Sequence, residues 1–371
     1  MVVNIRAIGP ALPGRDRYLG GEYCPITQQI FCVPGSAQQV LAINVQIGTS
    51  RLIGPKLPGK FKWLRSVRCL QTGAMFGIPA CAKTVLCIEP YTGQVSTFGA
   101  FDAPNWAWHG AVYSPLDGCI YAIPCNASQV LRINPIARTA ELIGPVFDQP
   151  LGWYGGLLGS NGCIFGIPNS ASSVLCIDPR TQTVSCFGAL KNSAQGSGER
   201  YQWHGGVVGI DQKLYCVPSH AEQVLQIDPQ QRTTTLIGAH VEPGQYRPTG
   251  RYKYGGAVCG LYGAIYCLPS DADRVLKICP QTATVTAIGP AFALHNKWQN
   301  GYLAQDGCIY GIPCNMDSVL QIDCKTDQVT LIPLPADLAT GFDKWEGGVI
   351  DAQQRLWCVP QNSKVALCIE P

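Results

Sequence analysis

Hydrophobic positions in this chain alternate with polar or small ones over short runs, the period expected of half-buried β-strands. The stretch at 203–238 reads WHGGVVGIDQKLYCVPSHAEQVLQIDPQQRTTTLIG. It contains a Gly-rich run (GGVVGI), a β-branched and aromatic run that a Pro ends (KLYCVP), and two shorter runs (VLQI and TTTLI). No segment keeps the period of an amphipathic helix. The pattern therefore predicts a unit of four antiparallel strands and no helix.

The four-strand unit repeats along the chain. CIYAIPCNASQVLRINP at 119–135 returns as CIYGIPCNMDSVLQIDC at 308–324 and as CIFGIPNSASSVLCIDP at 163–179. Four strands repeated at about 45 residues are typical of a propeller blade, which buries its faces against its neighbours. The Pro after the second strand marks eight units: Pro34, Pro79, Pro124, Pro168, Pro218, Pro269, Pro313 and Pro360. The sequence thus predicts an all-β, eight-bladed β-propeller.

The two ends of the chain carry complementary parts of one unit. CIEP at 368–371 reads as a third strand without a fourth, whereas VNIRAIGP at 3–10 resembles the fourth strand VTAIGP at 285–290. We expect residues near 3–9 to complete the last blade and close the propeller, which hides both edges. An open solenoid is the alternative, and in it the fourth-strand sequence at the N-terminus would not pair with the third strand at the C-terminus. The expected single domain, 1–371, has blades at about 18–55, 63–99, 108–144, 153–188, 203–238, 253–289, 298–332, and 345–371 with 3–9.

Composition excludes several classes of protein. Hydrophobic residues make up 46% of the chain and charged residues 14%, which is not a disordered composition. The net charge of +3 is too small to favour binding to nucleic acid or to an anionic membrane. No apolar run approaches the roughly 20 residues that span a bilayer. We therefore expect neither a nucleic-acid partner nor a membrane association.

Cysteine is abundant, at 19 residues, and no CxxC pair occurs. Cys216 and Cys267 occupy a strand column that holds Gly77 and Ala122 in other units. A free Cys packs as a small hydrophobe, so this column indicates buried free thiols and not a disulfide framework. The expected location is the cytoplasm or another reducing intracellular compartment.

The repeated unit has the form W-x-G-G, then G-x-I-Y-x-I-P-x-N-A-x-x-V-L-x-I-D-P, then L-I-G-P. It resembles a repeat found in uncharacterised proteins of unicellular algae, and it is broadly similar to kelch-type and streptogramin-lyase-type propellers. The resemblance covers essentially the whole chain. It implies the propeller fold but leaves the activity open, because propellers include scaffolds, lectins, lyases and hydrolases.

Two loops depart from the regular repeat. The linker between blades is longest at 190–202 (LKNSAQGSGERYQ) and 240–252 (HVEPGQYRPTGRY). These loops lie on the face with the most variable loops, called the top, where binding is usually found. Tyr and Arg are enriched at binding hot spots. We therefore predict a partner-binding patch of Arg200, Tyr201, Tyr246, Arg247, Arg251, Tyr252 and Lys253. The alternative is that the two insertions are tolerated surface loops whose charged side chains are solvated and bind nothing.

An aromatic column precedes the Gly pair of the first strand. We interpret it as structural wedges between blades, with stacking on sugars or bases as the alternative. Its members are Tyr18, Trp63, Trp108, Trp153, Trp203, Lys253, Trp298 and Trp345. Lys253 breaks the column beside the longest loop, and this local break points to function.

The next column varies in residue type and is expected to ring the top mouth of the central channel. Its candidate ligand contacts are His109, Tyr154, His204, Tyr254 and Glu346. His and Glu can bind zinc, but these residues come from blades that lie far apart on a wide ring. We therefore expect a small molecule or a peptide at this mouth, and neither a metal nor another cofactor.

No nucleophile elbow, P-loop, dinucleotide fingerprint or HExxH motif occurs. The sequence therefore favours a non-enzymatic binding or scaffold propeller that engages a protein through its top loops. A channel-mouth enzyme, lyase-like or lactonase-like, is one alternative, and a lectin is another. A protein is the expected partner, with a small molecule or a glycan as the other ligand types.

Overall fold

The structure, a computed structural model, describes residues 3–148, 150–190 and 200–371. These residues form 32 strands and no helix, and the strands pair into eight sheets of four. Each sheet corresponds to one repeated unit, so the predicted all-β, eight-bladed propeller is confirmed. Within the described ranges, no helix is long and apolar enough to cross a membrane.

The first two strands of each blade carry the aromatic column and the terminal Pro. The first strands are β2 (Tyr18–Cys24), β6 (Trp63–Arg68), β10 (Trp108–Tyr113), β14 (Trp153–Leu158), β18 (Trp203–Val208), β22 (Tyr254–Cys259), β26 (Trp298–Leu303) and β30 (Trp345–Ile350). The second strands are β3 (Gln29–Pro34), β7 (Met75–Pro79), β11 (Ile120–Pro124), β15 (Ile164–Pro168), β19 (Leu214–Pro218), β23 (Ile265–Pro269), β27 (Cys308–Pro313) and β31 (Leu356–Pro360).

The last two strands of each blade differ in burial. The third strands are β4 (Val40–Asn44), β8 (Val85–Glu89), β12 (Val130–Asn134), β16 (Val174–Asp178), β20 (Val224–Asp228), β24 (Val275–Cys279), β28 (Ser318–Asp323) and β32 (Ala366–Glu370). The fourth strands are β5 (Thr49–Ile53), β9 (Gln94–Phe98), β13 (Thr139–Ile143), β17 (Thr183–Phe187), β21 (Thr233–Ile237), β25 (Thr284–Ile288), β29 (Val329–Pro333) and β1 (Asn4–Ile8). Third strands are largely buried and read as apolar runs, whereas fourth strands are mostly exposed and polar.

The N-terminal strand completes the last blade, as predicted. The sheet has the order β1-β32-β31-β30. β1 pairs antiparallel with β32 from Asn4 opposite Glu370 to Ile8 opposite Ala366. Arg6 adds an ion pair to Glu370, with 2.5 Å between the charged atoms. The pairing satisfies backbone groups of β32 that would otherwise form an open sheet edge.

The described chain divides into two compact units. The first contains Met1–Pro150, Pro179–Thr183 and Gly341–Pro371, and the second contains Leu151–Asp178 and Val184–Thr340. Within the first unit, the first strands β30, β2, β6 and β10 pack successively against each other. Within the second unit, β14, β18, β22 and β26 do the same.

The Gly pairs permit this close approach of first strands. A Cβ atom on Gly20 would lie 2.7 Å from the carbonyl oxygen of Leu64, and one on Gly347 would lie 2.4 Å from that of Leu19. Both separations are far inside van der Waals contact. Only glycine therefore allows neighbouring first strands to approach this closely at both positions.

The aromatic column is structural. Trp203 is buried, and its indole N–H donates to the carbonyl oxygen of Gln223 at 3.0 Å, just before the third strand. The other five Trp residues of the column make the same type of bond. In blade 1, the Tyr18 hydroxyl donates to the carbonyl oxygen of Gln39 at 2.9 Å. Each of these side chains ties the start of the first strand to the loop between the second and third strands.

The turn after the third strand is closed by the residue that ends that strand. Asp228 Oδ1 accepts hydrogen bonds from the N–H groups of Gln230 and Gln231 at 2.9 and 3.0 Å, which is the bonding typical of Asp in turns. Cys279 occupies this position in blade 6. Hydrogen bonds from the hydroxyl and main chain of Thr282 hold the pKa of the Cys279 thiol below its ordinary value.

All 19 cysteines are described, and all are free. Most are buried in the blades, where burial raises the thiol pKa, as it does at Cys216 and Cys267. The prediction of buried free thiols is confirmed.

Candidate functional site

Strand pairing shifts the alignment of blade 6 by one residue. Tyr254 pairs with Pro269, as the column aromatic pairs with the terminal Pro in the other blades, and a bulge follows each pair. Tyr254 is therefore the aromatic-column residue of blade 6 and is buried in the core. The predictions that Lys253 breaks this column and that Tyr254 stands at the channel mouth were wrong. Gly255 takes the mouth position, and the longer linker concealed the shift.

Lys253 belongs to a basic column that immediately precedes the aromatic one. Its ammonium donates to the carbonyl oxygens of His220 at 3.2 Å and Gly250 at 3.1 Å. The side chain is buried, and burial lowers its pKa to about 8. Lys253 thus joins two loops beneath the predicted patch and offers no surface to a partner. The same role, donation to loop carbonyls, is played by Arg17, Lys62, Lys297 and Lys344.

A further column, two residues before the aromatic one, has a left-handed backbone in every described blade. Its members are Asp16, Phe61, Trp106, Leu151, Tyr201, Tyr252, Asn296 and Asp343. The left-handed turn aims the carbonyl at the loop after the second strand: Tyr201 accepts from the N–H of His220 at 2.9 Å, and Tyr252 from that of Asp271 at 3.1 Å. Asn and Asp favour this conformation, whereas bulky side chains disfavour it. Backbone preference therefore does not explain the four aromatic members.

The aromatic side chains of the two long loops meet over His220. The ring centroids of Tyr201 and Tyr252 are 5.8 Å apart, and they lie 5.4 and 4.7 Å from the imidazole. His220 is buried, and burial with the positive charges of Lys253 and Arg251 lowers its pKa to about 4. The imidazole is therefore neutral at pH 7 and supports the two phenol rings, while Tyr252 remains 40% exposed.

Arg247 is held in a fixed orientation beside Tyr252. Its Nε lies 3.0 Å from Oδ2 of Asp271, and its guanidinium carbon lies 5.3 Å from the Tyr252 ring centroid. The Asp271 side chain is 4% exposed, and its Oδ1 accepts the N–H of Asn296 at 2.7 Å. A buried carboxylate and an aromatic face therefore position the guanidinium.

The remaining patch residues lie around this cluster. Tyr246 is 53% exposed and stacks on His295, with 5.0 Å between ring centroids and 15° between planes. Arg200 and Arg251 are exposed. Residues 191–199 of the first long loop lie outside the described residues. Six of the seven predicted patch residues thus have exposed or half-buried side chains, and Lys253 is the exception.

A pocket of about 320 Å³ adjoins the patch within the second compact unit. Its lining includes Arg247, Tyr252 and Asp271, together with His204, His295 and Gln299. The structure therefore joins the predicted patch to His204, which the sequence placed in a separate site. Gln299 holds the same position in the repeat as His204 but was not chosen as a candidate. Asp271 and His295 were not predicted, because their approach depends on how the blades pack and not on their positions in the repeat.

The other predicted channel-mouth residues have distinct surroundings. Tyr154 meets His204 edge to face, with ring centroids 4.3 Å apart, in the second compact unit. In the first unit, Glu346 lies 3.5 Å from Arg65, which also donates to the carbonyl oxygen of Leu19 at 2.7 Å. Burial raises the pKa of Glu346, and Arg65 opposes the shift. Arg65 replaces the first Gly of the pair in blade 2, a departure from the repeat that the sequence shows.

His109 lies on β10 of the first unit and is half-buried. Across the ranges that the structure describes, no three His, Cys, Asp or Glu side chains lie close enough together to hold a metal ion.

Solved structures with the same fold match almost the whole chain. Streptogramin B lyase matches with a TM-score of 0.61 at 12% identity, over 99% of this chain and 97% of that one. Catalytically inactive virginiamycin B lyase from Staphylococcus aureus, with quinupristin, matches with a TM-score of 0.61 at 11% identity, over 100% of both chains. The WD40 repeats of RRP9 match with a TM-score of 0.55 at 14% identity, over 99% of both.

At these identities the likeness concerns the fold alone. It confirms the resemblance to streptogramin-lyase-type propellers at that level. The sequence matches no protein-family model and no curated protein.

Proposed function

We propose that this chain is a non-enzymatic binding propeller that engages a protein partner through the loops before blades 5 and 6. The surface concerned is named here the blade 5–6 patch and comprises Arg200, Tyr201, Tyr246, Arg247, Arg251 and Tyr252. The observation that carries the proposal is the contact between aromatic and guanidinium groups of two separate loops, which keep exposed faces.

The patch has the chemistry of an interface hot spot. Tyr and Arg dominate such spots because they offer large contact areas together with hydrogen-bonding groups. Tyr252 and Arg247 are already ordered by His220 and Asp271. A partner that docks on them loses little side-chain entropy, which favours affinity. The adjoining pocket is large enough to receive a side chain of that partner.

A channel-mouth enzyme is the second candidate function. His204, His295 and Asp271 line one pocket, and two of the fold neighbours are lyases by name. However, Oδ1 of Asp271 accepts the N–H of Asn296, and Oδ2 forms an ion pair with Arg247, 3.0 Å from its Nε. A carboxylate whose charge is paired with a guanidinium is a positioning group and a poor general base, so the pocket supports binding better than proton transfer.

The test compares protein capture from the native extract by three forms of the chain: wild type, a patch variant and a control. The patch variant is Tyr246→Ser with Tyr252→Asn, which leaves the Arg247–Asp271 pair intact. Asn is chosen because Asn296 occupies the equivalent left-handed position in blade 7. The control is Tyr91→Ser with Tyr262→Ser, which removes two exposed tyrosines outside the patch.

We expect wild type and control to retain the same protein, and the patch variant to bind the purified partner about tenfold or more weakly. Equal retention by all three forms would contradict the assignment of the patch. If none of them retains a protein, while a small molecule co-purifies with wild type and is lost from a His204→Ala variant, the second candidate replaces the first.

A further inference from the structure

A second recognition surface is present on the first compact unit. A groove of about 640 Å³ runs between the linker before blade 2, the loop after β7 and the linker before blade 3. It is named here the lysine groove, and the residues that define it are Lys60, Phe61, Lys83, Asn105 and Trp106. None of these belongs to the blade 5–6 patch.

An aromatic pair forms the floor of the lysine groove. The rings of Phe61 and Trp106 have centroids 5.1 Å apart and planes inclined by 36°. Trp106 is 40% exposed. Both residues occupy the left-handed column, where Asn or Asp would be favoured. Phe61 is half-buried and packs against Leu19, Leu64 and Ala80. The exposed Trp106 ring, held against Phe61 in a disfavoured backbone conformation, indicates a surface kept for binding.

The charged side chains that line the lysine groove are all positive. No Asp or Glu lines the groove. Lys60 is exposed, and no described residue forms an ion pair with it. The Lys83 ammonium donates to the carbonyl oxygen of Ala103, which uses one of its three N–H donors. Lys62 also lines the groove, but its ammonium is engaged by the carbonyl oxygens of Gly35, Ala37 and Gly59.

We propose that the lysine groove binds an acidic peptide segment. An aromatic or aliphatic side chain of the segment packs on Phe61 and Trp106, and its carboxylates pair with Lys60 and Lys83. The open shape of the groove, formed by three loops, suits an extended chain. A nucleic acid is disfavoured because its affinity requires many phosphate contacts, whereas the groove offers two available ammonium groups. This proposal does not rest on the proposed function, since the two surfaces lie on different compact units.

The test measures binding of short fluorescein-labelled probes by fluorescence anisotropy. The first probe is a peptide in which pairs of Glu alternate with Phe, the second replaces each Glu by Gln, and the third is oligothymidylate. The variants are Lys60→Gln and Trp106→Asn. Their controls are Lys325→Gln, at an exposed lysine on another blade, and Leu151→Asn, the same type of change in the left-handed column of the second unit.

We expect the acidic peptide to bind wild type about tenfold or more tightly than the Gln peptide, and to bind less tightly as salt is raised. Trp106→Asn weakens this binding about tenfold without lowering the melting temperature, because Asn favours the left-handed backbone. Lys60→Gln weakens it several-fold and reduces its salt dependence. Both control variants bind as wild type does.

Three results would each overturn the proposal. The first is equal binding of the acidic and Gln peptides, or no binding of either. The second is acidic-peptide binding that both groove variants leave unchanged. The third is tighter binding of oligothymidylate than of the acidic peptide, which would identify the ligand class as nucleic acid. None of these results bears on the blade 5–6 patch.

Discussion

Tyr201 and Tyr252 adopt a backbone conformation that Asn296 adopts one blade further on without steric conflict. A left-handed residue with a bulky side chain costs about 1 kcal/mol. In return, its carbonyl secures a loop and its side chain points to the patch. At the scale of single residues, the side chain and the backbone of this position therefore have separate requirements. Substitution by Asn removes the aromatic surface but keeps a residue that favours the left-handed backbone.

The Cys279 thiol is expected to be the most reactive cysteine at neutral pH. Because its pKa is lowered, the thiolate forms at a lower pH than the ordinary 9.0, and the thiolate is the form that reacts with iodoacetamide. Cys186 provides the comparison within the chain: the residue is solvent-accessible, but partial burial of its thiol raises its pKa. Mass spectrometry of alkylated peptides between about pH 6 and pH 10 measures both rates.

We expect Cys279 to reach half of its maximal alkylation rate at a lower pH than Cys186. Cys279→Asp removes the fast phase and keeps the fold, because Asp228 and Asp323 hold the equivalent turn position. Identical pH profiles for the two cysteines would refute the role given to Thr282.

Part of the candidate site and of the core could be predicted from residue types alone. The sequence identified the tyrosines and arginines of the patch, because they cluster in two long loops, and it identified the cysteines as buried, because Gly and Ala share their column. It did not identify Lys253 as a loop tie. Arg17, Lys62, Lys297 and Lys344 hold the same position before the aromatic residue in other blades, but the one-residue misalignment of blade 6 placed Lys253 in the aromatic column and concealed this match.

At the scale of the strand, the aromatic column anchors seven of the eight blades by one side-chain hydrogen bond. Two of its members allow a matched test, since both are buried tyrosines that begin a first strand. The Tyr18 hydroxyl donates to Gln39, whereas no hydrogen bond joins the Tyr254 hydroxyl to another described residue.

We expect Tyr18→Phe to lower the free energy of unfolding by about 1 kcal/mol, because it leaves the Gln39 carbonyl without its donor. Tyr254→Phe has a smaller effect. Urea denaturation monitored by Trp fluorescence measures both, with the slope checked for two-state behaviour. Equal effects of the two substitutions would show that the hydroxyl bond of Tyr18 contributes nothing to the anchor.

Strand boundaries were predictable wherever the linker kept its common length. Blade 6 was misaligned because its linker is longer, and counting from the fourth strand of blade 5 set Lys253 where Tyr254 belongs. Hydrogen-bond pairing with Pro269, not distance along the chain, fixes this register. A slip of one residue exchanges the buried and exposed faces of a strand, which is why Tyr254 was assigned to the channel mouth.

At the scale of the whole molecule, the repeat made the fold predictable and left the function to the deviations. Eight units of similar sequence specify eight similar sheets, because the same pattern of apolar and Gly positions recurs in each. The pocket at Arg247, Asp271, His204 and His295 was not predictable. Its residues come from different blades, and the repeat does not encode the distances between their side chains.

Removal of β1 is expected to convert the protein into a self-associating form. A chain that starts at residue 11 lacks the partner of β32 and presents an open, apolar-backed edge to other copies. Size-exclusion chromatography should show oligomers, and a peptide of residues 1–10 should restore the wild-type elution volume by adding the missing strand.

A control peptide that carries Ile5→Pro and Ala7→Pro should not restore it, because proline removes ladder donors. If the truncated chain elutes as wild type does, or if the proline peptide is as effective as the natural one, then β1 is not needed to cover the edge.

The pairing of β1 with β32 also determines when the last blade can form during synthesis of the chain. Asn4 and Glu370, which bond across the two strands, are 366 positions apart. At about 5–20 residues per second, the ribosome makes the first strand about 20–70 s before its partner. The residues of β1 that are exposed in the folded protein include Asn4 and Arg6, so the segment is partly polar while it has no partner strand. The last blade thus becomes complete only when translation of the domain is nearly finished, so an interrupted chain always leaves an open sheet edge for chaperones and proteases.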